Sequence, residues 1–136
     1  MLIELSVKTD EREEFIDITA RVREAVHQMG LTEGVITVYV PHTTAAVTIN
    51  ENADPDVVHD VLYALDKAFP NDHRFRHTEG NSTAHIKSSV IGTSVQVIVH
   101  QGRLVLGTWQ GIYFCEFDGP RHRSLFITGL SSAPVA

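Results

Sequence analysis

Apolar and polar positions alternate from Leu2 to Val7, which predicts a first strand. Phe15, Ile18, Val22, Val26 and Met29 then recur at helical spacing. Gly30 follows as a stop, so a helix is expected near residues 18–29. Val35 to Val40 is rich in β-branched residues and ends at Pro41, as a buried strand would. Ala45 to Ile49 is expected to be its hairpin partner, across the polar turn His42-Thr43-Thr44.

Asp54-Pro55 has the form of a helix start, with Asp as cap and Pro at the first helical position. Val57, Val58, Val61, Leu62, Leu65 and Phe69 line one face, and Pro70 ends the element. Residues 71–83 are polar and show no period, which predicts a loop long enough to serve a function. His85 to Ile91 reads as a short helix in preference to a strand. Val95 to Val99, Arg103 to Leu106, Ile112 to Phe117 and Ser124 to Thr128 read as strands, with Gln101-Gly102 and Asp118-Gly119 as turns. Residues from Ser131 to Ala136 read as a frayed end. Two main helices and consecutive strands predict one α+β domain, its mainly antiparallel sheet curled into a sandwich with the helices outside.

Composition adds limits. With 136 residues, the chain exceeds the size that needs disulfides or metal to fold. The single Cys115 lies in the apolar run Ile112-Tyr113-Phe114-Cys115 and is expected to be a buried, unreactive thiol. A reducing, cytoplasmic compartment fits. No apolar stretch approaches the roughly 20 residues that span a bilayer. The N-terminus lacks the pattern of a secretory signal, so no membrane partner is expected. The net charge of -6 argues against nucleic acid as a partner. Residues 1–66 carry 13 acidic and 4 basic side chains, residues 67–136 only 4 acidic and 7 basic. An anionic ligand is therefore expected to meet the second half.

Four polar clusters interrupt the apolar pattern at element ends, where ligand sites form on a rigid scaffold. They are His42-Thr43-Thr44 with Asn50-Glu51-Asn52 beyond it, His77 to Asn81 running on to His85 and Lys87, Gly107-Thr108-Trp109-Gln110, and Asp118 to Arg123. Arg121 and Arg123 are one residue apart and share a face of an extended segment, where two guanidiniums suit a phosphate or diphosphate. They read equally as surface arginines until a fold is known. Thr43 and Thr44 offer hydroxyls to phosphate oxygens, or simply form a turn. Glu51 is a candidate general base or metal ligand, or simply part of a helix-entry network before Asp54, and His42 and His85 suit either proton transfer or a metal. The lone Trp109 stands among small and polar residues, as a ligand neighbour would, although a lone Trp also serves as a core anchor. A Gly-x-Ser-x-Gly nucleophile turn, a dinucleotide fingerprint and a phosphate-binding P-loop are all absent.

The segments His42-Thr43-Thr44-Ala45-Ala46, Ile49-Asn50-Glu51-Asn52, His77-Thr78-Glu79-Gly80-Asn81, Ala84-His85-Ile86-Lys87-Ser88-Ser89, Gly107-Thr108-Trp109-Gln110 and Phe117-Asp118-Gly119-Pro120-Arg121 resemble the YjbQ-like family. That family is also described as secondary thiamine-phosphate synthase. The resemblance covers nearly the whole chain. It implies an α+β fold, a homotrimer, and a pocket near a subunit boundary. It also implies a weak transferase activity, joining hydroxymethylpyrimidine diphosphate to thiazole phosphate with release of pyrophosphate.

On that reading Arg121, Arg123 and Lys87 hold the diphosphate, Thr43, Thr44 and Asn81 orient phosphate oxygens, and Asn50 is a further substrate-binding candidate. Trp109 stacks on a heteroaromatic ring, and Gln110 reads its edge. His42, His85 and Glu51 position substrate, move protons or carry Mg²⁺, with Glu79 as the next carboxylate for that ion after Glu51 and no organic cofactor expected. The alternative is a non-catalytic trimer that binds a phosphorylated metabolite or a metal through the same residues. A third reading is a hydrolase with a His-bound metal.

Overall fold

Strand pairing divides the chain between two antiparallel sheets, described over residues 1–132 in a computed structural model. The first sheet has the order β1 (Leu2–Lys8), β8 (His122–Ser131), β3 (Glu33–Tyr39), β5 (Ser94–His100) and β6 (Arg103–Leu104). The second has the order β2 (Glu14–Asp17), β7 (Gln110–Glu116) and β4 (Ala45–Glu51). Their inner faces meet as a sandwich, with Ile36, Val38, Val97 and Leu125 from one sheet against Val47, Ile112 and Phe114 from the other. Each such buried side chain stabilises the fold by roughly 1.5–3 kcal/mol.

Three helices complete the α+β architecture. Helix α1 (Thr19–Met29) buries Val22, Ala25 and Val26 in this same core. It begins at Thr19 because the Asp17 carboxylate accepts both the Thr19 N–H at 2.9 Å and its hydroxyl at 2.6 Å. Phe15, which shares the helical spacing, belongs instead to β2, where its ring meets Tyr113 with centroids 5.8 Å apart. Helices α2 (Pro55–Ala68) and α3 (Ser82–Ile91) cover the outer face of the second sheet. The Asp54 side chain caps α2 by accepting the Asp56 N–H at 2.9 Å, and Pro55 opens it as expected. Helix α3 starts three residues earlier than the sequence predicts.

The expected hairpin between residues 35–40 and 45–49 does not form. Strand β3 pairs with β5 and β8, whereas β4 pairs with β7 in the other sheet. Pro41 has no N–H with which to extend the ladder, and residues 41–44 carry the chain across the sandwich instead. Ser131 is the last residue of β8 and its neighbour Ser132 bonds Glu33, so the frayed end expected from Ser131 does not begin there. The rest of that segment, 133–136, lies outside the described residues.

Among the described residues, no helix covers the outer face of the first sheet. Leu2, Tyr39, Ile98 and Leu130 stand exposed on it. No helix among the described residues is long and apolar enough to cross a membrane.

Candidate functional site

The crossing at residues 41–44, the start of α3 and the turn between β7 and β8 converge at one end of the sandwich. They enclose a cleft of about 380 Å³ lined by His42, Thr43, Thr44, His77, Glu79, Asn81, His85, Asp118, Arg121 and Arg123. Each side chain reaches it for a local reason. On β8, Ser124 lies where Pro41 would continue the ladder. The His42 ring fills the gap: its Nε2 lies 3.0 Å from the Ser124 N–H nitrogen and 3.1 Å from the Ser124 carbonyl oxygen. A neutral ring serves one of these at a time, so Nε2 is committed to Ser124 and only Nδ1 remains open. Burial, aided by the nearby Arg123 charge, pushes the His42 pKa down, so the ring is neutral near pH 7.

The turn at 118–121 is tied down by its own charges. Arg121 donates through Nε to the Asp118 carbonyl at 2.8 Å and through Nη2 to Asp118 Oδ2 at 3.0 Å. Asn81 Nδ2 donates to the same carboxylate oxygen at 2.9 Å. Burial alone would raise the Asp118 pKa, but these donors outweigh it and hold the carboxylate ionised. Gly119 is required here, since a Cβ would run into the Glu11 carbonyl oxygen.

Beneath the cleft lies a buried ion pair. Arg123 donates through Nε to Glu116 Oε1 at 2.9 Å and through Nη2 to Glu116 Oε2. Nη2 also reaches Thr44 Oγ1 at 2.9 Å, and the Thr9 hydroxyl donates to Glu116 Oε1 at 2.7 Å. Burial alone would raise the Glu116 pKa, and the Arg123 and Thr9 donors overcome it. Four chain segments are thus pinned together under the site. The two arginines do not present a matched pair to one anion: Arg121 is half exposed at the rim, and Arg123 is committed to Glu116.

On the remaining wall, His77 and His85 stack edge to face, with ring centroids 5.2 Å apart. His77 and Asp118 carry no role in the sequence reading, whereas Glu79, its second carboxylate for Mg²⁺ after Glu51, does line the cleft. The signal for His77 and Asp118 was their place in the loop 71–83 and the turn before Arg121.

Other candidate residues lie elsewhere. Lys87 is buried under α3, where it donates to Glu13 at 2.6 Å and to Asp66 of α2. Burial alone would lower its pKa, but these two carboxylates raise it. It therefore joins α2 and α3 and does not line the cleft. Glu51, Asn50, Trp109 and Gln110 sit at the far end of β4 and β7, where Asn50 opposes Gly111 and Glu51 opposes Gln110. Six steps of strand separate Ala45 from Glu51, about 20 Å. There Tyr113 Oη donates to the Glu51 carbonyl at 3.1 Å, and Gln110 Oε1 accepts the Gly107 N–H at 2.8 Å. Trp109 is 62% exposed and is not a core anchor.

The metal set proposed from sequence is thereby split, with His42 and His85 at one end and Glu51 at the other. Among the described residues no three His, Cys, Asp or Glu side chains are grouped to hold a metal ion. Cys115 is fully buried, and burial pushes its thiol pKa far up, as an inert core thiol requires.

Fold and cleft together define a small α+β sandwich protein with a preformed, ligand-sized polar site at one sheet end. The chain belongs to the UPF0047 family: residues 3–132 match its description as UPF0047 protein YjbQ-like. It is 56% identical to the UPF0047 protein YugU of Bacillus subtilis over 93% of this chain and 97% of that one. It is 50% identical to the UPF0047 protein MJ1081 of Methanocaldococcus jannaschii, over 93% and 92% of the two chains. Among solved structures, an uncharacterized conserved protein of this family from Clostridium acetobutylicum superposes with a TM-score of 0.92. That protein shares 55% identity, over 94% of this chain and 99% of its own. The hypothetical protein APE1520 of Aeropyrum pernix superposes at 0.91 with 37% identity, over 97% and 99%.

Proposed function

We propose that the cleft binds the diphosphate of a small phosphorylated substrate and that the chain is a slow transferase of the thiamine-phosphate synthase kind. One observation carries this reading. Two segments far apart in sequence bring an arginine (Arg121) and two threonines with a neutral histidine (Thr43, Thr44 and His42) to one cleft. In the reaction, the thiazole nitrogen bonds to the pyrimidine methylene carbon as the C–O bond to diphosphate breaks. That nitrogen carries no proton, so the main demand on the protein is to stabilise charge on the departing pyrophosphate. Arg121 at the rim, the Thr43 and Thr44 hydroxyls and the open Nδ1 of His42 would serve that role. Asn81 and Asp118 hold Arg121 in position.

Mg²⁺ fits this donor set only together with substrate. Asp118 and Glu79 line the cleft as oxygen ligands, and the diphosphate would supply others. The ion would neutralise charge on the diphosphate. Glu51 does not reach the cleft of its own chain, so a role for it there needs a second copy of the chain. The bare apolar face of the first sheet supports self-association, and the homotrimer is proposed on that support.

A second reading rests on the pairing of both arginines with carboxylates, Asp118 and Glu116. A site so neutralised suits a binder of phosphorylated metabolites as well as a catalyst. The separating experiment is thiamine phosphate formation from the two substrates with Mg²⁺, comparing wild type with Arg121→Ala and His42→Asn. Product from wild type and its loss in both variants supports the transferase. No product, with diphosphate binding that Arg121→Ala weakens, selects the binder.

A further inference from the structure

We infer that the polar cleft is one half of a bipartite site, and that the ligand's other half is an aromatic ring seated in an adjoining apolar hollow. This rests on the proposed anionic head in the cleft. The hollow, about 410 Å³, is lined by Phe75, Arg76, His77, Ser82, His85 and Ile86. His77 and His85 also line the cleft, so the perpendicular imidazoles form a shared wall.

Phe75 is the only apolar residue in the loop 71–83, and it remains 37% exposed. A phenylalanine that served the core would be covered. Instead a structured turn presents it. Asp72 accepts from the Arg74 N–H at 2.8 Å and binds its guanidinium through Nε at 3.0 Å and Nη2 at 2.7 Å, while the Phe75 N–H donates to the Asp72 carbonyl at 3.0 Å. The walls then offer one phenyl ring, two imidazoles and one guanidinium. Edge-to-face and cation–π geometry favour a flat ring over an alkyl group in such surroundings. The ligand class is thus an aryl or heteroaryl compound whose phosphate or diphosphate lies on the Arg121 side of the histidine pair.

Titration calorimetry with methyl diphosphate and benzyl diphosphate tests this, since the two share one head. Wild type should bind the benzyl compound roughly tenfold more tightly, the gain expected from burying one ring. Phe75→Ala should bring the two constants within about twofold, and Phe75→Tyr should keep the preference. Far-ultraviolet circular dichroism on each variant confirms the fold. Equal binding of the two compounds by wild type overturns the bipartite site and leaves the head assignment standing. So does a tenfold preference that survives in folded Phe75→Ala. Failure of wild type to bind either compound overturns the head assignment and this inference with it.

Discussion

The two ends of β4 are built on different terms. At the Ala45 end, charges are paired before any ligand arrives: Arg123 with Glu116, and Arg121 with Asp118 and Asn81. At the Glu51 end, Trp109 stands exposed and the polar side chains bond mainly to nearby backbone. Preorganised charge acts on a ligand without reorganisation, whereas an exposed ring contributes only when something covers it. On the proposed reading, the first end is built to hold a charged ligand, in catalyst or binder alike, and the second is left for contacts with another copy of the chain.

The sharpest way to break this contrast is to remove its foundation. Arg123→Ala leaves Glu116 buried and unpaired, which should cost about 3–5 kcal/mol in urea denaturation. Replacing both residues by apolar side chains should recover most of that loss. If Arg123→Ala costs under about 1 kcal/mol, the pair is not the anchor of the site.

The second test sets the ends against each other. Arg121→Ala should lower thiamine phosphate formation by about 10²-fold, the scale of losing one charge-stabilising donor. Glu51→Gln should leave the rate within about threefold. A loss at Glu51 equal to that at Arg121 would erase the contrast and mean that the far end of a neighbouring copy completes the cleft.

How much of this could be read in advance depends on which signal each residue carried. Strand alternation and the Asp54-Pro55 cap were local, so most elements were legible. Strand β2 was hidden because Phe15 lies three residues before Ile18 and mimicked a helix face. The pairing of β4 with β7 joins residues from Glu51↔Gln110 to Ala45↔Glu116, far apart in sequence, and no local pattern announces it. For the site, His42, His85, Asn81 and Arg121 were found as polar residues at element ends. The burial of Arg123 was legible but missed: it shares parity with Leu125 and Ile127, whose side chains face the core. Glu116 shares parity with Ile112 and Phe114 in the same way. A charge on the inward face of each of two strands is a sign of a mutual pair. Lys87 likewise lies three residues after buried Ala84 and four before Ile91.

That reading of Lys87 gives a third, smaller test. If it serves packing alone, Lys87→Met should lower stability by about 1–2 kcal/mol, less than a fully buried pair because Asp66 is largely exposed. Diphosphate affinity should not change. A tenfold loss of affinity in the folded variant would return Lys87 to the ligand.

The smallest expected effect concerns His42 and acid. Its folded pKa lies below the ordinary 6.5, because burial and the Arg123 charge disfavour the imidazolium. Between the folded value and 6.5 the unfolded chain therefore binds more protons than the native one, and stability must fall as pH drops through that window. Below the folded value this loss levels off, since both states are then protonated. Asp118 and Glu116 have depressed pKa values, so their stabilisation persists through this window and is lost only at lower pH. Measuring unfolding free energy from pH 7 to 5 in wild type and His42→Asn isolates the histidine, because the carboxylates are common to both. The wild type should show the steeper fall. Parallel curves would mean that the His42 ring is as well solvated as in the unfolded chain, which would remove the neutral side chain from the cleft and weaken the contrast at the end where it is strongest.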